Sequence, residues 1–195
     1  MFIVSQSDEV AFVRWIWIDR FLEFESGKFA KSVKNVTLAE DHLHDHFPGF
    51  PVMPASLMIE GLAQTGGLLV GEVSGFEEKV ILAKIGHAIF HGWVQPGDQI
   101  IYETHIREQN DQGAMIEGKA TVQDRLVADV ELFYAFLDES SRAKKLFEPK
   151  NFVFTMRILG VFDVGKSAEG NPLIPPGLEN FHQAADESSL SSPEE

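Results

Sequence analysis

The stretch 54-PASLMIEGLAQTGGLLV-70 carries one charge, Glu60, and is otherwise apolar nearly all round. That is the composition of a helix buried on most of its surface. At ~1.5 Å per residue it would span roughly 25 Å, enough to cross a small domain. On both sides the pattern changes to that of strands. Before it, "FVRWIWIDRFLEFESGKFAKSVKNV" (Phe12 to Val36) is dominated by β-branched and aromatic residues, with a hairpin turn at "ESGK", Glu25 to Lys28. After it come "KVILAKIGHAIF", "DQIIYETHIRE", "AMIEGKATVQ" and "LVADVELFYAFL", the last two joined by a tight turn at "QDR", Gln123 to Arg125. One apolar helix among several long strands predicts an α+β fold in which an antiparallel β-sheet wraps around the helix.

The rest of the composition narrows the function classes. A chain of 195 residues suits one domain with an appendage. Hydrophobic residues at 44% beside 24% charged residues are enough for a sizeable core in a soluble protein. A net charge of -14 argues against a nucleic-acid partner, which needs clustered Lys and Arg, and against an anionic membrane surface. There is no cysteine, which excludes disulfides, zinc thiolate sites and a thiol nucleophile. The start, "MFIVSQSDEVAFVRW", lacks the basic end and apolar block of a secretory signal, and no segment reaches the ~18 apolar residues of a membrane helix. A cytoplasmic protein is expected.

Chemistry concentrates just before and inside the apolar stretch. An ionised carboxylate among apolar side chains loses solvation, so Glu60 is expected to hold its proton more tightly and to serve as a proton donor, unless it reaches water at the helix rim. Gln64, four residues on, shares its face and is placed to hydrogen-bond Glu60 or a ligand. His46 precedes "FPGFP", where Pro48 and Pro51 fix two backbone angles and Gly49 permits a sharp turn, so the imidazole is held rigidly, as a general base requires. Pro54 is expected as the first helical residue, leaving the N–H groups of Ala55 and Ser56 at the positive end of the helix dipole to receive an oxygen. The alternation in "HLHDH" puts His42, His44 and His46 on one side of a predicted strand, a spacing open to a metal site or to a plain polar loop, with no metal as the preferred reading. His87, His91 and His105 read as ordinary sheet residues.

With these residues in hand, the stretch "HFPGFPVMPASLMIEGLAQ", His46 to Gln64, resembles the signature of the 3-hydroxyacyl-[acyl-carrier-protein] dehydratases of the FabZ type, H-F-P-G-x-P-V-M-P-G-x-L-x-x-E-x-x-A-Q. The likeness extends over roughly residues 10 to 138, through "WIDRFLEFESGKFAKSVKNVTLAEDHLHDHFPG", "VQPGDQIIYE" and "EGKATVQDRLVADVELFYAFL". It implies the hotdog fold and, position by position, His46 and Glu60 as a catalytic pair contributed by different subunits of a homodimer, in a family that also forms trimers of dimers. His46 would take the proton from C2 of a 3-hydroxyacyl thioester carried on acyl carrier protein, and Glu60 would help the C3 hydroxyl leave. The backbone N–H of Ala55 would bind the thioester oxygen, and the Val52 carbonyl would orient the imidazole. Gln64, Phe50, Leu57 and Phe90 would contact substrate and set tunnel depth. No cofactor is implied. Glu60 in place of the Asp of FabA-type members implies dehydration without isomerisation.

Two departures stand out. Ala55 replaces the family's Gly, and "HGW" (His91 to Trp93) follows "KIGHAIF" where the family tends to carry Arg or Lys. Residues 1–139, the expected hotdog domain, carry 10 basic and 22 acidic residues, a net charge that repels an acidic carrier. Residues 140–166 form a basic C-terminal extension: six basic residues between Arg142 and Lys166 face only Glu148 and Asp163. It either replaces the docking patch or simply packs on the domain. Residues 167–195 hold six acids and no Lys or Arg, an acidic tail expected to be partly disordered. The reading that follows is a carrier-linked dehydratase. The alternatives are a hydratase or dehydratase for another thioester, such as one on coenzyme A, and a non-catalytic acyl-binding hotdog protein.

Overall fold

The computed structural model describes residues 15–137 and 149–175. The expectations about the extreme N-terminus and the acidic tail beyond residue 175 lie outside the described residues, as do three of the six basic residues of the extension, Arg142, Lys144 and Lys145.

A seven-stranded sheet runs β3-β6-β5-β4-β2-β1-β7. Its strands are β1 (Arg20–Glu25), β2 (Phe29–Asn35), β3 (Val80–Phe90), β4 (Gln99–Asn110), β5 (Gly113–Val122), β6 (Arg125–Phe136) and β7 (Gly165–Lys166). All neighbours are antiparallel except β1 and β7. Helix α2 (Ala55–Glu72) lies across the inner face, touching β2 to β6. This is the hotdog arrangement. The inner face is written in the period-two alternation of the strands: Ile100, Tyr102 and Thr104 of β4 are buried, as are Ala114, Ile116, Ala120 and Val122 of β5. The turns fall where expected. Gly27 takes φ +71° between β1 and β2, and Gln123 and Asp124 both take positive φ in the tight β5–β6 turn.

Small residues bring α2 close to the sheet. A Cβ on Gly61 would stand 2.5 Å from the Tyr102 ring, and one on Gly66 2.5 Å from Ile116. The close approach lets polar groups of helix and sheet satisfy each other. Thr65 donates to the Gly61 carbonyl at 2.7 Å, so its oxygen receives the Ser32 hydroxyl, also at 2.7 Å. The Tyr134 hydroxyl donates to the Ala63 carbonyl at 2.8 Å.

Three local expectations are corrected. "HLHDH" is not a strand: His42–Asp45 form a single helical turn, α1. Among the described residues no neighbouring strand offers this segment a ladder. Its N–H groups bond three residues back instead, Leu43 to Glu40 and His44 to Asp41, and the turn sinks Leu43 in the core. Pro54 stands one residue before the helix, at the N-cap, with φ −58° and ψ 134°. Trp15 to Asp19 carry no strand, and regular pairing begins at Arg20.

The C-terminal segment is docked. Helix α3 (Pro149–Ile158) buries Met156, the following Leu159 is also buried, and the short α4 (Val161–Val164) leads into β7, which pairs with β1 at Phe24 and Glu25. At the other edge, β3 is exposed along nearly its whole length, with Ile81, Leu82, Ile85, Ile89 and Phe90 all open to solvent.

The glycine contacts yield a paired expectation. Alanine is favoured over glycine inside a helix by about 1 kcal/mol. At Gly61 the clash with the buried Tyr102 ring outweighs this, since overpacking costs about 1–3 kcal/mol. Gly61→Ala is therefore expected to lower stability. At Gly67, where the nearest atom to an added Cβ is 3.5 Å away, Gly67→Ala should raise it. Denaturant midpoints at one fixed protein concentration check both signs.

Candidate active site

His46 ends α1 and begins a loop held by its own backbone. The Val52 N–H donates to the His46 carbonyl at 2.9 Å, and Phe47 and Phe50 exchange backbone bonds at 3.0 and 2.9 Å around Gly49, whose φ is +78°. Met53 ties the loop to the Val94 carbonyl at 2.8 Å. In return, His46 Nδ1 lies 3.0 Å from the Val52 carbonyl oxygen. A carbonyl only accepts, so Nδ1 carries the proton and donates it, and Nε2 is left with its lone pair. The ring also stacks on Phe47, centroids 4.2 Å apart. The result is a half-buried imidazole of fixed tautomer and orientation.

The three imidazoles of "HLHDH" do not converge. His44 Nε2 turns to the Leu38 carbonyl at 2.9 Å, while His42 packs edge-on against Trp17. Burial holds the His42 imidazole below its ordinary pKa, favouring the neutral ring. Among the described residues no three metal-binding side chains gather. Elsewhere, His87 and His91 both reach Asp129, at 3.1 and 2.6 Å, on exposed sheet surface.

Glu60 sits on the second turn of α2, half-buried, on the wall of a cavity of about 390 Å³. The same face of the helix supplies Gln64, Gly67 and Gly71 to the lining, the spacing of one helical stripe. Gln64 holds the carboxylate: its Nε2 donates to Glu60 Oε1 at 2.8 Å and to the Trp15 carbonyl at 2.8 Å, and its Oε1 accepts from the Trp17 N–H at 2.8 Å. Those partners also settle which amide atom is oxygen, since Nε2 faces two acceptors and Oε1 a donor. Gln64 therefore bonds Glu60, the first of the two partners its spacing allowed.

At the start of α2 the N–H groups of Ala55 and Ser56 have no intrahelical acceptor, and both residues are exposed. The Ala55 methyl replaces the family's glycine on open surface. Phe50, Leu57 and Phe90 are not on the cavity wall that Glu60 lines. Phe50 stands exposed, edge-on to Trp93 at 6.2 Å, Phe90 is exposed on β3, and Leu57 is half-buried. Nor does His46 line that cavity within one chain. Sequence reading missed Tyr134, Trp15 and Ile16, which do line it. The Glu60–Gln64–Gly67–Gly71 spacing was a usable signal for the helix stripe. Nothing local marks Tyr134, which the β6 register alone brings there. The "HGW" turn has a cation after all: Arg125, across from it, donates to the Trp93 carbonyl at 3.4 Å.

Residues 15–131 match the FabA-like domain family. A 3-hydroxyacyl-[acyl-carrier-protein] dehydratase FabZ from Campylobacter fetus subsp. fetus is 38% identical over 132 residues, covering 64% of this chain and 89% of that protein. The protein of the same name from Listeria monocytogenes serotype 4b is 36% identical over 125 residues, covering 64% and 87%. Among solved structures, the dehydratase heterocomplex ApeI:P from Xenorhabdus doucetiae has a TM-score of 0.55 at 12% identity over 68% of this chain and 90% of that one. An uncharacterized protein from Pyrococcus horikoshii has a TM-score of 0.53 at 16% identity over 71% and 97%. Both structural likenesses are of fold. With a family match over more than half its length, the motif from His46 to Gln64 intact but for Ala55, and FabZ relatives covered almost end to end, the chain belongs to the FabA-like family, in its FabZ dehydratase branch.

Proposed function

We propose that the chain is a hydro-lyase that dehydrates (3R)-3-hydroxyacyl-acyl carrier protein to the trans-2-enoyl thioester in fatty acid biosynthesis, in the cytoplasm. The observation that carries the reading is the His46–Val52 bond, which leaves the Nε2 lone pair of a rigid imidazole available as a base. His46 Nε2 takes the proton from C2, and the freed electron pair becomes the C2–C3 double bond. The C3 hydroxyl leaves as water, with its proton supplied by Glu60 or by a water that Glu60 orients. The Ala55 N–H receives the thioester oxygen as enolate charge develops, aided by the positive end of α2. Phe50, Leu57 and Phe90 contact the substrate from outside the wall that Glu60 lines.

The reading requires a homodimer, because one chain's Glu60 cavity lacks His46. The exposed apolar edge strand β3 supports this, since an uncovered edge bearing five large hydrophobic side chains invites pairing with a second copy. Larger assembly, a trimer of such dimers, is compatible with it. Residues 1–139 form the catalytic domain, and residues 140–166 offer cationic side chains, Arg157 and Lys166 exposed among them, to an acidic carrier that the rest of the domain repels. A second reading, a thioester on coenzyme A, is favoured by the acidic balance of residues 1–139, which repels an acidic carrier, and separates cleanly in a comparison of the two carriers.

The decisive assay is loss of enoyl absorbance as trans-2-enoyl thioesters are hydrated, on carrier protein and on coenzyme A in parallel. His46→Ala and Glu60→Gln are each expected to lose about 10²–10⁴-fold in rate. Unchanged turnover in His46→Ala would remove His46 from the base role, and absence of turnover in well-folded wild type would move the protein to the acyl-binding class. If the two residues come from different chains, mixing the two dead variants under subunit exchange should restore about a quarter of wild-type activity, because half the dimers then hold one intact site. Recovery of nothing would place both residues in one subunit's site. Arg157→Glu with Lys166→Glu should raise KM for the carrier-linked substrate and leave KM for the coenzyme A thioester unchanged.

A further inference from the structure

Helix α3 lies beyond residue 131, where the family match ends, yet it reaches the cavity that Glu60 lines. Phe152, Thr155 and Leu159, on one helical face at i, i+3 and i+7, all lie on the cavity wall. Phe152 stacks on Phe76, centroids 5.1 Å apart and planes 9° from parallel. Phe76 in turn packs against Gly71, where an added Cβ would stand 2.8 Å from its ring. The aromatic pair therefore closes the cavity at the C-terminal end of α2. Glu60 marks the other end of the same helical stripe, eleven residues away, or roughly 16 Å at the helical rise. Between them the helix wall is kept low by Gly67 and Gly71. The Thr155 hydroxyl is taken up by the Asn151 carbonyl at 2.8 Å, so it makes no demand on whatever fills the space. The helix is anchored, with Met156 and Leu159 buried and the Leu159 carbonyl accepting the Phe21 N–H at 2.8 Å.

We propose that α3 is the end wall of the acyl tunnel and that Phe152, stacked on Phe76, sets the longest acyl chain the enzyme accepts. The inference rests on the dehydratase reading for the identity of the occupant. A cavity near 150 Å³ holds benzene, so by proportion one of about 390 Å³ holds roughly fifteen non-hydrogen atoms, a chain of medium length. Longer chains meet the aromatic pair.

The test is kcat/KM for hydration across trans-2-enoyl thioesters from four to sixteen carbons, on the full chain and its variants. Wild type is expected to fall off beyond medium length. Phe152→Ala should raise the ratio of the sixteen-carbon to the eight-carbon value by about tenfold or more, as removal of a steric stop in an apolar pocket does. Thr155→Phe should shift the profile toward shorter chains. If Phe152→Ala does not fold, Phe152→Leu and Thr155→Phe carry the test. Profiles that superimpose on wild type overturn the proposal. Absence of turnover on every thioester would sink the dehydratase reading instead. The wall is then judged by calorimetry with saturated acyl-coenzyme A of the same lengths: Phe152 variants must move the length that binds tightest, and an unmoved optimum overturns it.

Discussion

The contact of α2 with the sheet at Gly61 and Gly66 is the constraint on which the rest of the molecule depends. Without side chains at those two positions, the helix sinks until Tyr102 and Ile116 touch its backbone. One face is then wholly committed to the sheet, and the opposite face, with Glu60, Gln64, Gly67 and Gly71, is left to line a cavity. An apolar helix bearing a single carboxylate ceases to be a contradiction. The carboxylate stands on the side that lines the cavity, and Gln64 holds it there.

The second fixed point is the loop from His46 to Met53. Reciprocal bonds between His46 and Val52, one through backbone and one through the imidazole, make ring and loop a single unit, and the bond from Met53 to the Val94 carbonyl fastens it to the strand side of the domain. General-base chemistry needs a proton on one known nitrogen and a lone pair on the other, and here the Val52 carbonyl decides which is which. Base and carboxylate are held by unconnected parts of one chain. On the proposed reading a homodimer would bring the two together, and the bare apolar edge of β3 is where such a dimer has most to gain.

Beyond residue 131 the chain adds to its family rather than decorating it. Met156, Leu159 and Val161 are buried with the main core, and β7 extends the sheet beside β1. A segment that reads as a basic appendage thus becomes part of the cavity wall, which ties the size of the bound chain to residues that have no counterpart in the matched region.

The sequence by itself determined the helix-in-sheet architecture and the positions of most strands and turns. These are local matters: the apolar run from Pro54 to Val70, period-two alternation in β4 to β6, and the rigid "HFPGFP" loop speak through neighbours a few residues apart. Only the tertiary structure decided what depends on distant partners. It turned "HLHDH" into a helical turn, since a strand needs a ladder that no other described segment supplied. It took Phe50, Leu57 and Phe90 off the Glu60 wall and put Tyr134 there, through the register of β6 against β5. It brought Phe152 onto Phe76 across some seventy residues of chain, a contact no local pattern encodes because its energy exists only once both elements are packed.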